Sequence, residues 1–122
     1  MFSLNDSNRF FLYPYPTDMR KSFYTLSGIV TNEMGRSVQD GDAFIFINKL
    51  CTSMKVLHME CGGLVIYHLK LEQGCISLPD MRDWDGKTYI PTGWSDLVMM
   101  VEGINPTGVS RAKRWRPEKQ FK

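Results

Sequence analysis

The amino-acid sequence predicts an α+β fold: a single domain with an antiparallel sheet of four to five strands, two helices packed on one side, and a basic C-terminal tail. Two observations support this prediction. Apolar residues recur with helical spacing in two separate stretches, and between them short apolar runs alternate with glycine-containing turns. Consecutive hairpins give an antiparallel sheet, and the flanking helices then collect on one of its faces.

The first predicted helix lies within residues 16–36. Its apolar residues share one face of a helix: Met19, Phe23, Leu26, Ile29 and Val30. Thr17 or Asp18 suits the N-cap, and Gly35 suits a left-handed C-cap.

Arg20 and Lys21 would then lie in the first helical turn, where the helix dipole makes a cation unfavourable by about 0.3–1 kcal/mol. Two interpretations remain open. In one, Asp18 and water screen both charges on the solvated side of the helix. In the other, the cations and the free backbone N–H groups form an anion site for a phosphate or a carboxylate.

Strands are expected on both sides of this helix. Arg9–Tyr15 should end at a sheet edge or lead directly into the helix, because Pro14 and Pro16 lack N–H donors. Ala43–Asn48 is apolar on both faces, which is typical of a central strand. Turns at Gly62-Gly63, Gln73-Gly74 and Asp85-Gly86 separate the other predicted strands, which are Met54–Cys61, Leu64–Glu72, Cys75–Leu78 and Lys87–Ile90.

The second helix is predicted over Ser95–Gly103, closed by Asn105-Pro106. We therefore expect one domain over residues 1–107 and a basic, flexible tail over residues 108–122. The domain holds 9 Lys+Arg and 12 Asp+Glu, whereas the tail holds 6 Lys+Arg and only Glu118. The charge balance is −3 for the domain and +5 for the tail.

The composition predicts a soluble protein of the cytoplasm, with 43% apolar and 23% charged residues and no apolar run near about 18 residues. Three cysteines without paired spacing, Cys51, Cys61 and Cys75, are expected to stay reduced.

Motifs spread over residues 9–105 carry a family resemblance. Asp18–Phe23 with Leu26 is similar to the signature DMRKG(F)xxL. Further matches follow in order: Phe44, Phe46 and Asn48 (FxFxN), Lys55 and Leu57 (KxL), Gly63-Leu64 (GL), Lys70–Glu72 with Gly74 and Pro79, and Leu97–Ile104 (LxxLLEGI). Their order and spacing resemble the Orf2-like (TnpB) protein of the insertion-sequence-66 transposon family, which differs from the RNA-guided nuclease of the same name.

The resemblance implies a bacterial accessory protein required for DNA transposition. It acts beside a larger transposase that carries the catalytic acidic residues. The expected partners are DNA at the transposon ends, the transposase and a companion accessory protein. No cofactor and no enzymatic activity are implied.

Three departures from the family lower the positive charge of the domain. Lys49–Ser53 replaces a run of arginines, so that Lys49 alone is left to contact phosphates there. Tyr13–Pro16 replaces a small, polar segment, and Leu69 stands where a basic residue is common.

The tail is the strongest nucleic-acid candidate in the sequence. Its cations surround an indole that can stack on a base or enter a groove: Arg111, Lys113, Arg114, Trp115, Arg116, Lys119 and Lys122. Such contacts would read little base sequence. The alternative is a solubilising tail, or one that folds against the acidic domain.

Catalytic and metal-binding patterns are weaker. The carboxylates of Asp80, Asp83 and Asp85 form one acidic turn, whereas two-metal phosphoryl transfer needs ligands that converge from separate elements. A metal-dependent nuclease is therefore the minor alternative. Strand alternation places His58 and Glu60 on one face of the hairpin and Cys61 on the other face, so a zinc site across the hairpin is not expected.

Two functional hypotheses follow. The first is a non-catalytic transposition accessory protein that binds DNA electrostatically through Arg20, Lys21, Lys49 and the tail. The second is an adaptor that docks on the transposase without touching DNA.

Overall fold

A computed structural model describes residues 3–79, 86 and 88–103. They form a five-stranded sheet in the order β4-β3-β2-β1-β5, with two helices and one short 3-10 helix over Val38–Asp40. In chain order the elements are β1 (Phe10–Leu12), α1 (Phe23–Asn32), β2 (Ala43–Ile47), β3 (Ser53–Glu60), β4 (Gly63–Lys70), β5 (Ile90–Thr92) and α2 (Trp94–Glu102). The predicted α+β class is confirmed.

The sheet is mostly antiparallel, but β1 and β2 are parallel, with Phe10 opposite Ala43. The chain leaves β1, passes through α1 and returns as β2, which is a crossover between parallel strands. β1 lies inside the sheet because β5 pairs with its other side. It stops at Leu12, before the prolines, and Thr17 still donates a backbone hydrogen bond to Ile47 (2.9 Å).

The prediction that both helices pack on one side is wrong, because they cover opposite faces of the sheet. On the α1 face, Leu26 and Val30 pack among aromatic and aliphatic strand residues: Phe11, Phe44, Phe46 and Leu57. On the α2 face, Leu97 and Met100 pack with Phe10, Leu12, Ile45, Met54 and Val56. Side chains alternate along each strand. Every residue of β2 is buried, so each of its faces needs cover.

The first helix starts later than predicted. α1 begins at Phe23 with Ser22 at the N-cap, rather than after Thr17 or Asp18. Met19 belongs to the preceding loop, although its side chain packs against the core on the α1 face. The predicted C-terminal signal is confirmed, because Gly35 has φ +66° and the next N–H, that of Arg36, donates to Val30 (3.0 Å).

The β3–β4 hairpin is confirmed, with its turn one residue earlier than predicted. Cys61 and Gly62 both have positive φ (52° and 78°), and Glu60 pairs with Gly63 across the turn. Two such residues form the tight turn that matches the twist of a hairpin.

The second half of the chain departs from prediction at two strands. Residues 75–78 are not a strand; there Ile76 donates to Cys51 (2.7 Å), and its side chain fills the core on the α2 face. β5 follows the expected Lys87–Ile90 by a few residues. α2 matches the predicted second helix; it ends at Glu102, and Gly103 forms its left-handed C-cap with φ +77°. Asn105-Pro106 and the tail lie outside the described residues. No helix in the described part of the chain is long and apolar enough to span a membrane.

Candidate nucleic-acid interface

Arg20 lies in the loop before α1 and not in its first turn, so the geometry of a helix N-terminal anion site does not apply to it. Asp18 accepts hydrogen bonds from the Arg20 backbone N–H (2.8 Å) and from its guanidinium (2.6 Å). These bonds, the side-chain one first, lower the pKa of Asp18 to about 2. The Arg20 charge is therefore partnered within its own loop.

Lys21 is half-buried in the same loop, and its backbone carbonyl accepts a hydrogen bond from Lys55 of β3. The ammonium of Lys55 donates to the carbonyl oxygens of Met19 (2.8 Å) and Lys21 (2.7 Å). Lys55 itself is 8% exposed. This lysine fixes the shape of the loop, a role that sequence reasoning missed.

Lys49 is exposed in the loop between β2 and β3. That loop is held by Asn48, whose amide oxygen accepts from the backbone N–H groups of Thr52 (2.9 Å) and Ser53 (3.0 Å). Lys49 and the loop before α1 line one open groove at this end of the sheet, formed by Pro16, Thr17, Asp18, Met19, Asn48, Lys49 and Leu50. The structure thus brings Lys49 close to the segment that carries Arg20, and Asp18 lines the same groove.

Two other arginines of the domain share one buried carboxylate. Asp42, with 4% of its side chain exposed, accepts from Arg9 (2.8 Å) and from Arg36 (3.3 Å). The Arg36 guanidinium also lies 3.9 Å above the ring of Phe11 and near Tyr89. Both arginines therefore stabilise the fold on the α1 face of the sheet.

The tail candidates lie outside the described residues: Arg111, Lys113, Arg114, Trp115, Arg116, Lys119 and Lys122. The segment predicted to form an acidic turn, with Asp80, Asp83 and Asp85, lies outside them as well.

His58 and Glu60 meet on the α2 side of β3. His58 Nδ1 lies 3.0 Å from a Glu60 carboxylate oxygen, and its Nε2 lies 3.1 Å from the carbonyl oxygen of Gly41. The Tyr67 hydroxyl donates to the same carboxylate, and burial and this bond raise the pKa of Tyr67 to about 12. In the part of the chain that the structure describes, no group of three His, Cys, Asp or Glu side chains is placed to hold a metal ion.

An apolar surface lies at the opposite end of the α1 face from the Lys49 groove. Phe23 and Tyr24, at the start of α1, are 40% and 90% exposed. They line an open groove with the tip of the hairpin: Phe23, Tyr24, Met59, Gly62, Gly63 and Leu64. Exposed aromatic side chains beside a groove are typical of a docking surface for another protein.

Comparisons with known proteins bear on the whole of this arrangement. A family model described as IS66 Orf2 like protein matches residues 8–111. The uncharacterized protein y4jC of Sinorhizobium fredii (strain NBRC 101917 / NGR234) is 25% identical over 104 residues, which cover 85% of this chain and 86% of that protein. No solved structure matches the chain. The matched range of the family model includes every described strand and helix.

Proposed function

This chain belongs to the IS66 Orf2-like family, and from that premise we propose that it is a non-catalytic accessory protein in the transposition of an insertion-sequence-66 type element. It binds the DNA of the element through the phosphate backbone. The contacts come mainly from the cations of residues 108–122, with Lys49 as the main contribution of the folded domain.

One observation supports the assignment of most phosphate contacts to the tail rather than to the domain: the described arginines of the domain already have carboxylate partners. Arg9 and Arg36 share Asp42, and Arg20 pairs with Asp18. A phosphate would have to compete with a carboxylate at each of these positions. The domain also carries −3 against +5 for residues 108–122, so long-range attraction to DNA is concentrated in the tail.

A salt titration of duplex DNA binding by two full-length variants tests the proposal. The tail variant carries Arg111→Gln, Lys113→Gln and Arg114→Gln, and its matched control carries Arg20→Gln, Lys21→Gln and Lys49→Gln. Both remove three positive charges, so only their location differs. Each neutralised phosphate contributes about 0.9 to the slope of log affinity against log salt, so the tail variant should lose up to about 3 from that slope.

We expect the domain variant to lose about 1 or less from the same slope, because the proposal assigns a phosphate contact to Lys49 alone among its three substituted residues. Equal losses in the two variants would refute the assignment of DNA contacts to the tail. The nuclease alternative is tested in the same samples with Mg²⁺ added. We expect no DNA cleavage that is present in the wild type and lost in the variants Asp83→Asn and Asp85→Asn.

The exposed groove at the start of α1 favours a second candidate function, docking on the transposase or the companion accessory protein. Tyr24 leaves 90% of its surface in solvent and therefore contributes little to the fold. In this hypothesis Tyr24→Ser abolishes co-purification with a co-expressed partner and leaves the thermal midpoint unchanged. Negligible DNA binding at low salt together with such co-purification would favour the adaptor over the DNA-binding protein.

A further inference from the structure

The strand β4 forms one edge of the sheet, with β3 as its only strand neighbour among the described residues. It is eight residues long and reads GLVIYHLK, with apolar residues on both faces and Lys70 as its only Lys, Arg, Asp or Glu. It contains no proline, and its residues are half-exposed or exposed. Prolines and charged residues normally keep an edge strand from pairing with another strand, and a long apolar edge strand with few of them pairs readily.

The hairpin geometry fixes which backbone groups of β4 point outward. Because the turn holds only Cys61 and Gly62, the flanking pair Glu60–Gly63 exchanges hydrogen bonds, and every second pair after it does the same. The bond from Leu71 N–H to Thr52 (2.8 Å) continues this alternation beyond the strand. The N–H and C=O groups that face away from β3 therefore belong to Leu64, Ile66, His68 and Lys70.

The other edge of the sheet is protected. β5 has only three residues, and the central one is Pro91, which cannot donate a backbone hydrogen bond. Addition of β4 of one copy to β5 of the next would make an open, repeating assembly. The short proline-containing edge disfavours that arrangement, whereas pairing of β4 with β4 closes after two copies.

We propose that β4 pairs with β4 of a second copy of this chain, antiparallel about a two-fold axis at Tyr67. In this register Leu64 faces Lys70 of the partner copy, Ile66 faces its His68, and all four outward-facing residues find partners in about eight hydrogen bonds. On the α2 face the two Tyr67 side chains lie side by side. Val65 and Leu69 flank them from the two copies.

A second copy fits this edge for two reasons. It supplies a strand of equal length that is apolar on both faces, and the register places no like charges opposite each other, since Lys70 faces Leu64. Eight residues span only about 26 Å. Such an interface is smaller than the roughly 800 Å² per partner of stable complexes, so the dimer should dissociate in the micromolar range.

Sedimentation velocity of the full chain over about 1–100 μM tests the proposal, with two variants at one position. His68 is exposed, and its N–H faces outward, so His68→Pro removes an intermolecular donor without breaking a bond to β3. His68→Thr removes the same side chain and keeps the donor. We expect a concentration-dependent dimer for the wild type and for His68→Thr. His68→Pro should dimerise at least about tenfold more weakly, because it removes two symmetry-related intermolecular hydrogen bonds, one from each copy.

Amide hydrogen exchange of the wild-type chain keeps the test independent of whether His68→Pro folds. The amides of Leu64, Ile66, His68 and Lys70 should be protected at high concentration and exchange rapidly on dilution. Those of Val65, Tyr67 and Leu69 should be protected throughout. A monomer over the whole range, a dimer in which these four amides exchange freely, or growth beyond a dimer would each overturn the proposal.

Discussion

Lys55 stabilises the loop before α1 from inside the protein, and its removal has a calculable cost. Its ammonium donates to the carbonyl oxygens of Met19 and Lys21, at 2.8 and 2.7 Å. A hydrogen bond from a charged donor contributes about 1.5–3 kcal/mol, and Lys55→Met removes both bonds. The substitution also removes the desolvation cost of the buried ammonium, and this offsets part of the loss. We therefore expect Lys55→Met to lower the free energy of unfolding by about 3 kcal/mol.

Urea unfolding followed by far-ultraviolet circular dichroism measures this loss. Methionine keeps an unbranched side chain of similar length, so the change reports on the donor rather than on a cavity. Lys49→Met is the matched control, because Lys49 is exposed and its substitution should change stability by less than about 0.5 kcal/mol. A loss below about 1 kcal/mol, or equal losses in the two variants, would refute the role of Lys55 as a structural donor.

Three further predictions concern single positions. Asp42→Asn should lower the free energy of unfolding by about 2 kcal/mol in urea, because it removes the buried charge that Arg36 faces, and an unchanged midpoint would contradict this. The pKa of Asp18 lies below its ordinary 3.8, so the contact with Arg20 is present above that pH and is lost as the pH falls toward 2. An NMR titration of the Asp18 carboxyl should show a midpoint near 2, moved toward the ordinary value by Arg20→Gln. Gly35→Ala should cost about 1 kcal/mol in thermal unfolding, because φ is +66° while open space surrounds the added methyl group; no loss would argue against a left-handed residue there.

The elements that the sequence predicted well are those whose signals are local. The β3–β4 hairpin follows from two apolar runs around glycines, and α2 follows from its helical period and Gly103. The central position of β2 follows from five consecutive apolar residues. In each of these, residues close in the chain determine the conformation, so no distant contact is needed to predict it.

The errors occur where distant residues decide the conformation. Met19 fits the helical period, but the carbonyl oxygens of Met19 and Lys21 bond to Lys55, more than thirty residues away, and α1 starts only at Phe23. The sequence does contain a signal that the two helices lie on opposite faces of the sheet. A strand that is apolar on both faces requires cover on both faces, and the order strand, helix, strand over residues 10–47 is that of a parallel crossover.

The candidate interface shows the same division between local and distant information. Asp18 and Arg20 are two residues apart, so their pairing could be anticipated from the chain, whereas the sharing of Asp42 by Arg9 and Arg36 depends on the fold. Ion pairing thus separates the cations into those that stabilise the domain and those that remain for a phosphate. Because the tail variant and the domain variant remove equal charge, unequal losses in the salt dependence of DNA binding would show that the location of the cations, and not the total charge of the protein, determines where DNA binds.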